Sequence, residues 1–286
     1  MVNTADDTSS IGPRLRMMVS VLTALETRLV NAVLSSDFDE RVALKDVAAR
    51  CEMSEAMVVK TAKKLGFRGF RELRSKAAEY NRLPINEMHQ ELSPTDTAAE
   101  IVTKVFRTSA QALEETLAIL DMQAFERAAE LLAHAHQRDF YGFGGSAQIA
   151  RDAMHKFLRI GARAAAWDDP HMMLMSASLL GKEDVVLAVS HSGQTKDILE
   201  AVRTAQANHV PVIAITNYSG SPLALLADTV LCSTAQGSPL TGENAAARVA
   251  QLNIVDALFA VVAQSDYAHA EQQLSRTMMA VAHKRK

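Results

Sequence analysis

The sequence predicts an all-α N-terminal region followed by a doubly wound α/β domain built on a five-stranded parallel sheet. Residues 13–80 have the pattern of several short helices, whereas from residue 139 onward apolar strand candidates alternate with helical runs. Strands that alternate with helices of this length imply a parallel sheet covered by helices on both faces. Residues 81–96 contain two prolines and no clear period, so we expect a domain over 1–80, a linker over 81–96 and a second domain over 97–286.

The composition indicates a globular protein of the cell interior. With 286 residues, 48% of them hydrophobic, the chain can form roughly two domains with their own cores. Its two cysteines, Cys51 and Cys232, lie far apart without metal-ligand spacing, which is typical of a reduced cytoplasmic protein and predicts no metal site. The polar, acidic N-terminus disfavours a secretory signal, and no apolar run is expected to span a bilayer. We therefore expect a cytoplasmic protein without a membrane partner.

Positive charge is concentrated in one part of the N-terminal region. Residues 41–76 contain ten basic and four acidic side chains, a net charge of +6, although the whole chain carries −3 and the remainder therefore −9. A basic block on an otherwise acidic protein is the asymmetry expected of a small nucleic-acid-binding domain attached to an unrelated body.

Within this basic block, residues 44–66 have the pattern of a helix-turn-helix. A first helix with one apolar face is followed by a turn at 51–53, by Ser54 as a good N-cap, and by a second helix that stops at Gly66. In such a motif the second helix enters the major groove by its N-terminal residues. The residues expected to face DNA are Ser54, Glu55, Met57, Val58, Lys60 and Thr61, with Lys63, Lys64 and Arg68 placed for phosphates.

Two segments of this region resemble a known family. The strings MSEA at 53–56 and KKLGFRGFREL at 63–73 resemble the DNA-binding region of the RpiR-type bacterial transcriptional regulators. The resemblance implies binding to double-stranded operator DNA. The family usually has Thr at the position of Met57 and Arg-Phe at the position of Lys60-Thr61, so its operator sequence cannot be transferred to this chain.

The second region contains five strand candidates, at 139–143, 162–166, 184–190, 211–216 and 229–232. Helical runs are predicted between them at 147–159, 171–180, 195–208 and 221–226. Two further helices, at 97–120 and 122–136, precede the first strand, and two more, at 243–264 and 271–286, follow the last one.

The segment 189–195, VSHSGQT, carries three hydroxyls and one glycine between a buried strand and a helix. The first amides of a helix have no intrahelical partner and the helix dipole there favours negative charge. An ordinary strand-to-helix turn needs only one capping hydroxyl. Three hydroxyls in six residues therefore favour an anion site, most simply one for a phosphate.

A second polar loop, YGFGGSA at 141–147, follows the first strand and allows two interpretations. The spacing Gly142-x-Gly144-x-x-Ala147, with Asp168 about 20 residues further on, satisfies the permissive dinucleotide fingerprint and suggests an NAD-responsive protein. That interpretation leaves the loop at 190–195 without a role. A sugar-phosphate site uses both loops, because in a sheet of order 2-1-3-4-5 they flank the topological switch point.

The whole region resembles the sugar isomerase (SIS) domain. The matching segments include GFGGSA, SHSGQT, KFLRIG at 156–161 and the spacing Arg248-x-x-Gln251. The resemblance spans roughly 97–264 and implies that phosphate is bound by Ser190, Ser192 and Thr195. It further implies roles in binding the ligand for Gln194, Ser146, His171, Glu243 and Arg248.

Taken together, these features predict a transcriptional regulator of sugar metabolism whose operator affinity is controlled by a phosphorylated sugar or sugar acid. SIS domains generally pair, and a helix-turn-helix that recognises one half of an operator works as a dimer. We therefore expect a homodimer or a tetramer of dimers. The alternatives are an NAD-responsive regulator and a sugar-phosphate isomerase with an accessory domain, in which Glu243 or His171 would act as the base. We expect no cofactor and no turnover, because a sensor needs only differential binding between two states.

Overall fold

The computed structural model describes residues 7–84, 92–235 and 245–285, and the chain divides into two compact units. The first comprises Met1–Ile119, Tyr218–Gly220 and Thr234–Ala247; the second comprises Leu120–Asn217, Ser221–Ser233 and Arg248–Lys286. The division after residue 119 differs from the linker that we predicted at 81–96. The reason is that the long helix after the linker packs against the N-terminal helices.

The described part of the first unit is helical. Its helices are α1 (Ile11–Met17), α2 (Ala24–Val33), α3 (Leu44–Arg50), α4 (Glu55–Lys64), α5 (Phe70–Asn81) and α6 (Ala98–Ile119). Thr23 and Glu26 form a capping box at the start of α2. One core unites α1 to α5, and its fully buried members include Leu29, Val30, Val33, Val58, Ala62, Leu73 and Ala77.

The second unit contains the sheet. Its elements are α7 (Met122–His134), β1 (Arg138–Gly142), α8 (Ser146–Arg159), β2 (Ala164–Trp167), α9 (Pro170–Leu179), β3 (Val185–Val189), α10 (Lys196–Ala207), β4 (Val212–Thr216), α11 (Pro222–Leu226), β5 (Thr229–Cys232), α12 (Ala245–Ser265) and α13 (Tyr267–Val281). The strands are all parallel in the order β2-β1-β3-β4-β5. This confirms the predicted fold class and strand order.

Side chains of the strands point alternately to the two faces of the sheet, and helices cover both faces. On β3, Val185, Leu187 and Val189 pack into a core with side chains of α7, α8 and α12. Val186 and Ala188 point to the opposite face and pack with side chains of α9, α10 and α11. Successive residues of a strand face opposite sides of the sheet, so a strand covered on both sides is apolar throughout.

Two of the boundaries that differ from the predicted ones have a clear local reason. Strand β2 begins at Ala164 rather than at 162, because Ala162 N still donates to Phe157 O in the turn that ends α8. Helix α13 begins at Tyr267 rather than at 271, because the Asp266 side chain caps it by accepting from His269 N.

Helix α12 corrects the expectation that no apolar run is long enough to span a bilayer. Its most apolar stretch has a mean hydropathy of 1.5, so by length and composition alone the helix is apolar enough to cross a membrane. In this unit the helix packs Ile254, Val255 and Leu258 into the core under the sheet, and 44% of that stretch is buried. A core helix satisfies the same criterion as a membrane span, and packing under the sheet accounts for the apolar residues on the buried side of α12.

Replacing a side chain at the centre of the sheet tests this packing. Leu187→Ala removes a side chain that is 1% exposed, and we expect unfolding of the second unit to become easier by about 2–5 kcal/mol. The measurement is denaturant unfolding followed by the fluorescence of Trp167, the single tryptophan. Leu179→Ala is the matched control, because that side chain is 86% exposed and its loss should change stability by at most about 0.5 kcal/mol. Equal effects of the two variants would contradict the packing.

Candidate functional site

The loop between β3 and α10 folds around the hydroxyl of Ser190. This side chain is 3% exposed; its Oγ accepts a hydrogen bond from Gly193 N at 3.1 Å and lies 3.1 Å from Thr195 Oγ1. Thr195 is the N-cap of α10, although its side chain makes no capping bond. The amides and the positive end of the α10 dipole are therefore adjacent to these hydroxyls, as an anion site requires.

Gly193 gives this loop its shape. Its backbone has φ of +62°, and a Cβ atom at this position would overlap Ser221 Oγ. Only glycine adopts such a conformation without strain and leaves room for the neighbouring side chain. Ser192 is half-buried, with its Oγ accepting from Gln194 N at 3.2 Å, and the Gln194 side chain is exposed.

A buried polar cluster supports the loop from the neighbouring strands. His191 O accepts from Asn217 N at 3.1 Å and from Thr216 Oγ1 at 3.2 Å. The Asn217 side chain accepts hydrogen bonds from Ser233 Oγ and from Gln251 Nε2. Sequence reasoning missed Asn217 and Ser233, and gave Gln251 no role beyond its place in the SIS-like spacing. The only signal was that polar residues directly follow the apolar runs of β4 and β5.

Strand register brings the glycine-rich loop beside the first one. Gly142 at the end of β1 pairs with Val189 at the end of β3, so the two chains leave the sheet side by side. Ser146 is the first residue of α8 and is half-buried. Arg248 Nη1 lies 3.2 Å from the place that a Cβ of Gly145 would occupy, which puts a guanidinium group at this loop. Guanidinium groups bind phosphates and carboxylates through paired hydrogen bonds.

Among the other residues predicted to bind a ligand, the structure describes His171 and Asp168. His171 is exposed in the first turn of α9, which follows the edge strand β2. Glu243 lies outside the described residues. Asp168, the acid of the dinucleotide pattern, forms an ion pair with Arg151. A ribose hydroxyl would have to compete with that arginine for the carboxylate, which disfavours the NAD interpretation.

The helix-turn-helix forms as the pattern predicts. Helix α3 ends at Arg50 and α4 begins at Glu55 after a turn in which Glu52 has φ of +56°. Ser54 caps α4 by accepting from Met57 N at 3.2 Å, and α4 ends just before Gly66.

Two of the residues expected to read DNA are buried, and for them the expectation is wrong. Val58 is 0% and Thr61 2% exposed; Val58 is a core residue, and Thr61 Oγ1 donates to Met57 O. Met57 is half-buried and packs against the same core. The helical period places Val58, Thr61 and Ala62 on the core side, so only part of the N-terminal half of α4 is left for DNA.

The exposed face of α4 carries two lysines that are free to bind phosphates. Lys60 and Lys63 are exposed and form no ion pair with any described residue. Lys64 Nζ binds the carboxylate of Glu26 at 2.8 Å, and Arg68 pairs with Glu72 at 3.2 Å. Lys60 and Lys63, together with Ser54 and Glu55, are thus the exposed members of the predicted DNA-facing set that form no ion pair with any described residue.

Comparisons with known proteins agree with this geometry. Residues 10–82 match the rpiR-family helix-turn-helix domain, and residues 131–261 match the SIS domain. The HTH-type transcriptional regulator RpiR of Escherichia coli K12 is 42% identical over 268 residues, which cover 93% of this chain and 90% of that protein. The chain belongs to the RpiR family of transcriptional regulators.

Solved structures of other proteins share the architecture. The Vibrio vulnificus NanR protein, solved in complex with ManNAc-6P, is 26% identical, with a TM-score of 0.61 and coverage of 95% of this chain and 98% of NanR. The sugar isomerase domain of an RpiR transcription factor from Sphaerobacter thermophilus is 25% identical, with a TM-score of 0.58 and coverage of 62% and 97%. This chain joins an rpiR-family helix-turn-helix domain to an SIS domain.

Gly193 provides a test of the loop geometry. Gly193→Ala should destabilise the second unit by about 1–3 kcal/mol, because the added methyl group meets Ser221 and the backbone has a positive φ. Thermal unfolding followed by Trp167 fluorescence measures the change. Gly181→Ala is the control, since the nearest atom to its Cβ would be 4.0 Å away. If both variants unfolded at the same temperature, Gly193 would not be required for the loop.

Proposed function

We propose that this regulator binds a phosphorylated sugar or sugar acid at the carboxyl edge of its sheet and that the bound ligand sets its affinity for operator DNA. The observation that carries the proposal is the pair of polar loops beside each other, one at 190–195 over the start of α10 and one at 144–146 beside Arg248. The V. vulnificus NanR complex with ManNAc-6P supports a phosphosugar as the ligand class.

In this proposal the phosphate is held by Ser190, Ser192 and Thr195 with the first amides of α10. Ser146 and Arg248 lie at the adjoining loop, where they can bind the phosphate or the sugar. His171 and Glu243 remain proposed contacts to the sugar end. Binding without turnover is sufficient as a signal, since DNA affinity changes whenever the ligand prefers one of two protein states. The related E. coli RpiR protein is likewise named as a transcriptional regulator.

A helix-turn-helix that recognises one half of an operator binds DNA as a dimer. We therefore propose that the protein is a homodimer or a tetramer of dimers. Exposed apolar side chains on two long helices support self-association, because such surfaces in soluble proteins commonly mark interfaces. They are Ile101, Val102, Val105 and Phe106 on α6, and Tyr267, Met278 and Met279 on α13.

A thermal-shift panel tests the effector. The panel contains sugar phosphates, phosphorylated sugar acids, the free sugars, and NAD(H). We expect one phosphorylated compound to stabilise the protein by about 2.7 kcal/mol at 100 times its Kd, and its unphosphorylated form to have no effect. Ser190→Ala should lose the shift, whereas Ser178→Ala, on the exposed side of α9, should keep it. A shift with NAD(H) alone would contradict the proposal in favour of redox sensing.

The proposed DNA-binding surface is tested by titrating each variant with genomic DNA fragments that were first selected by their binding to the wild-type protein. Lys60→Ala and Lys63→Ala should each weaken binding to all fragments similarly and lower the salt dependence of log K by about one, because each removes a phosphate contact. Lys182→Ala removes an exposed lysine of the second unit and serves as the control. Unchanged affinity and salt dependence in both α4 variants would place the DNA surface elsewhere.

A further inference from the structure

Helix α6 carries a buried charged cluster that binds it to the first and last helices of the DNA-binding region. Glu115 is 1% exposed and forms an ion pair with Arg16 of α1. Its carboxylate also accepts from Tyr80 Oη of α5 at 2.6 Å and from Gln111 Nε2 at 2.8 Å. Arg16 Nη2 donates to Tyr80 Oη at 3.1 Å, so three helices share one network.

The surroundings of this cluster make it rigid. Tyr80 is buried and its ring lies against α1 at Gly12, where a Cβ atom would overlap the ring. Burial raises the pKa of Tyr80, which keeps its hydroxyl protonated as a donor to Glu115. A buried carboxylate without its partners is strongly unfavourable, so α1, α5 and the C-terminal half of α6 are expected to move as one body.

The residue after Glu115 makes a second connection. Thr116 is buried; its Oγ1 accepts from Thr234 N at 3.1 Å and is 3.4 Å from Thr234 O, to which it donates. Thr234 follows Ser233 directly in the chain. Ser233 belongs to the polar cluster that supports His191 in the phosphate loop, through Asn217. A displacement of that loop can therefore pass along the chain to Thr234 and from there to α6.

We propose that the Thr116–Thr234 pair is the joint that couples the SIS ligand site to the DNA-binding helices. The inference rests on the proposed function, because it requires that a ligand at the 190–195 loop changes DNA affinity. Glu115, Arg16 and Tyr80 are positioning residues in this scheme. They contact neither the ligand nor DNA, and they carry the displacement of α6 to α1 and α5.

Thr116→Val tests the joint, because valine keeps the shape of threonine and removes its hydroxyl. The readout is the factor by which the effective phosphorylated sugar of the panel changes the Kd for selected genomic DNA. We expect this factor to fall by roughly 2- to 30-fold in Thr116→Val, with the thermal shift by the sugar and the DNA affinity without it kept. Thr116→Ser should restore the response.

Thr103→Val is the matched control on the same helix. Thr103 is exposed and its hydroxyl donates only within the helix, to Ala99 O. A full ligand response in Thr116→Val, equal to that of Thr103→Val, would overturn the proposal.

Hydrogen exchange without ligand gives a second, independent readout. If Thr116 is the joint, Thr116→Val should speed amide exchange in α1 and α5 and in the loop at 190–195, whereas Thr103→Val should not. Unchanged exchange at both places would overturn the joint whatever the ligand assays show. A different result would contradict the proposed function itself: the wild-type protein would then show no thermal shift with any phosphorylated compound.

Discussion

The parallel pairing of β1 with β3 is the constraint on which the ligand site depends. Because Gly142 and Val189 are paired, the chains that leave these strands start at neighbouring points. They then turn to opposite faces of the sheet, since α8 packs with one core and α10 with the other. The gap between two diverging loops is the place where a doubly wound sheet accepts a ligand. In the proposed function, the fold fixes where the ligand binds, and the side chains at the two loops decide which ligand it is.

In the proposed function, local dipoles have to attract the phosphate, because the net charge of the protein does not. Outside the basic segment at 41–76 the chain carries a net charge of −9, so long-range attraction of a phosphate is not expected. The amides at the start of α10, the hydroxyls of Ser190 and Thr195, and the guanidinium of Arg248 act over a few ångströms instead. Such short-range donors distinguish a phosphorylated ligand from a neutral one by geometry as well as charge.

The sequence was sufficient for the secondary-structure elements and insufficient where distant residues meet. Strand candidates that alternate with helical runs identified the five strands, and three hydroxyls in six residues led to the prediction of a phosphate loop at 190–195. Val58 and Thr61 were misplaced because they were chosen by position along α4 and not by the face that the helical period gives them. Asn217, Ser233 and Gln251 come from three separate segments. Nothing in any one segment indicates that they bond to each other.

Glu115 shows why the compact units divide at a different place from the predicted linker. An acidic residue in an amphipathic helix is normally assigned to the solvent side, and α6 otherwise alternates apolar and charged faces as a surface helix does. Once Glu115 is buried, however, its charge needs donors, and the nearest suitable ones are on α1 and α5. A helix held in this way belongs to the DNA-binding unit although it follows the linker. The first compact unit therefore extends to Ile119, beyond the predicted linker.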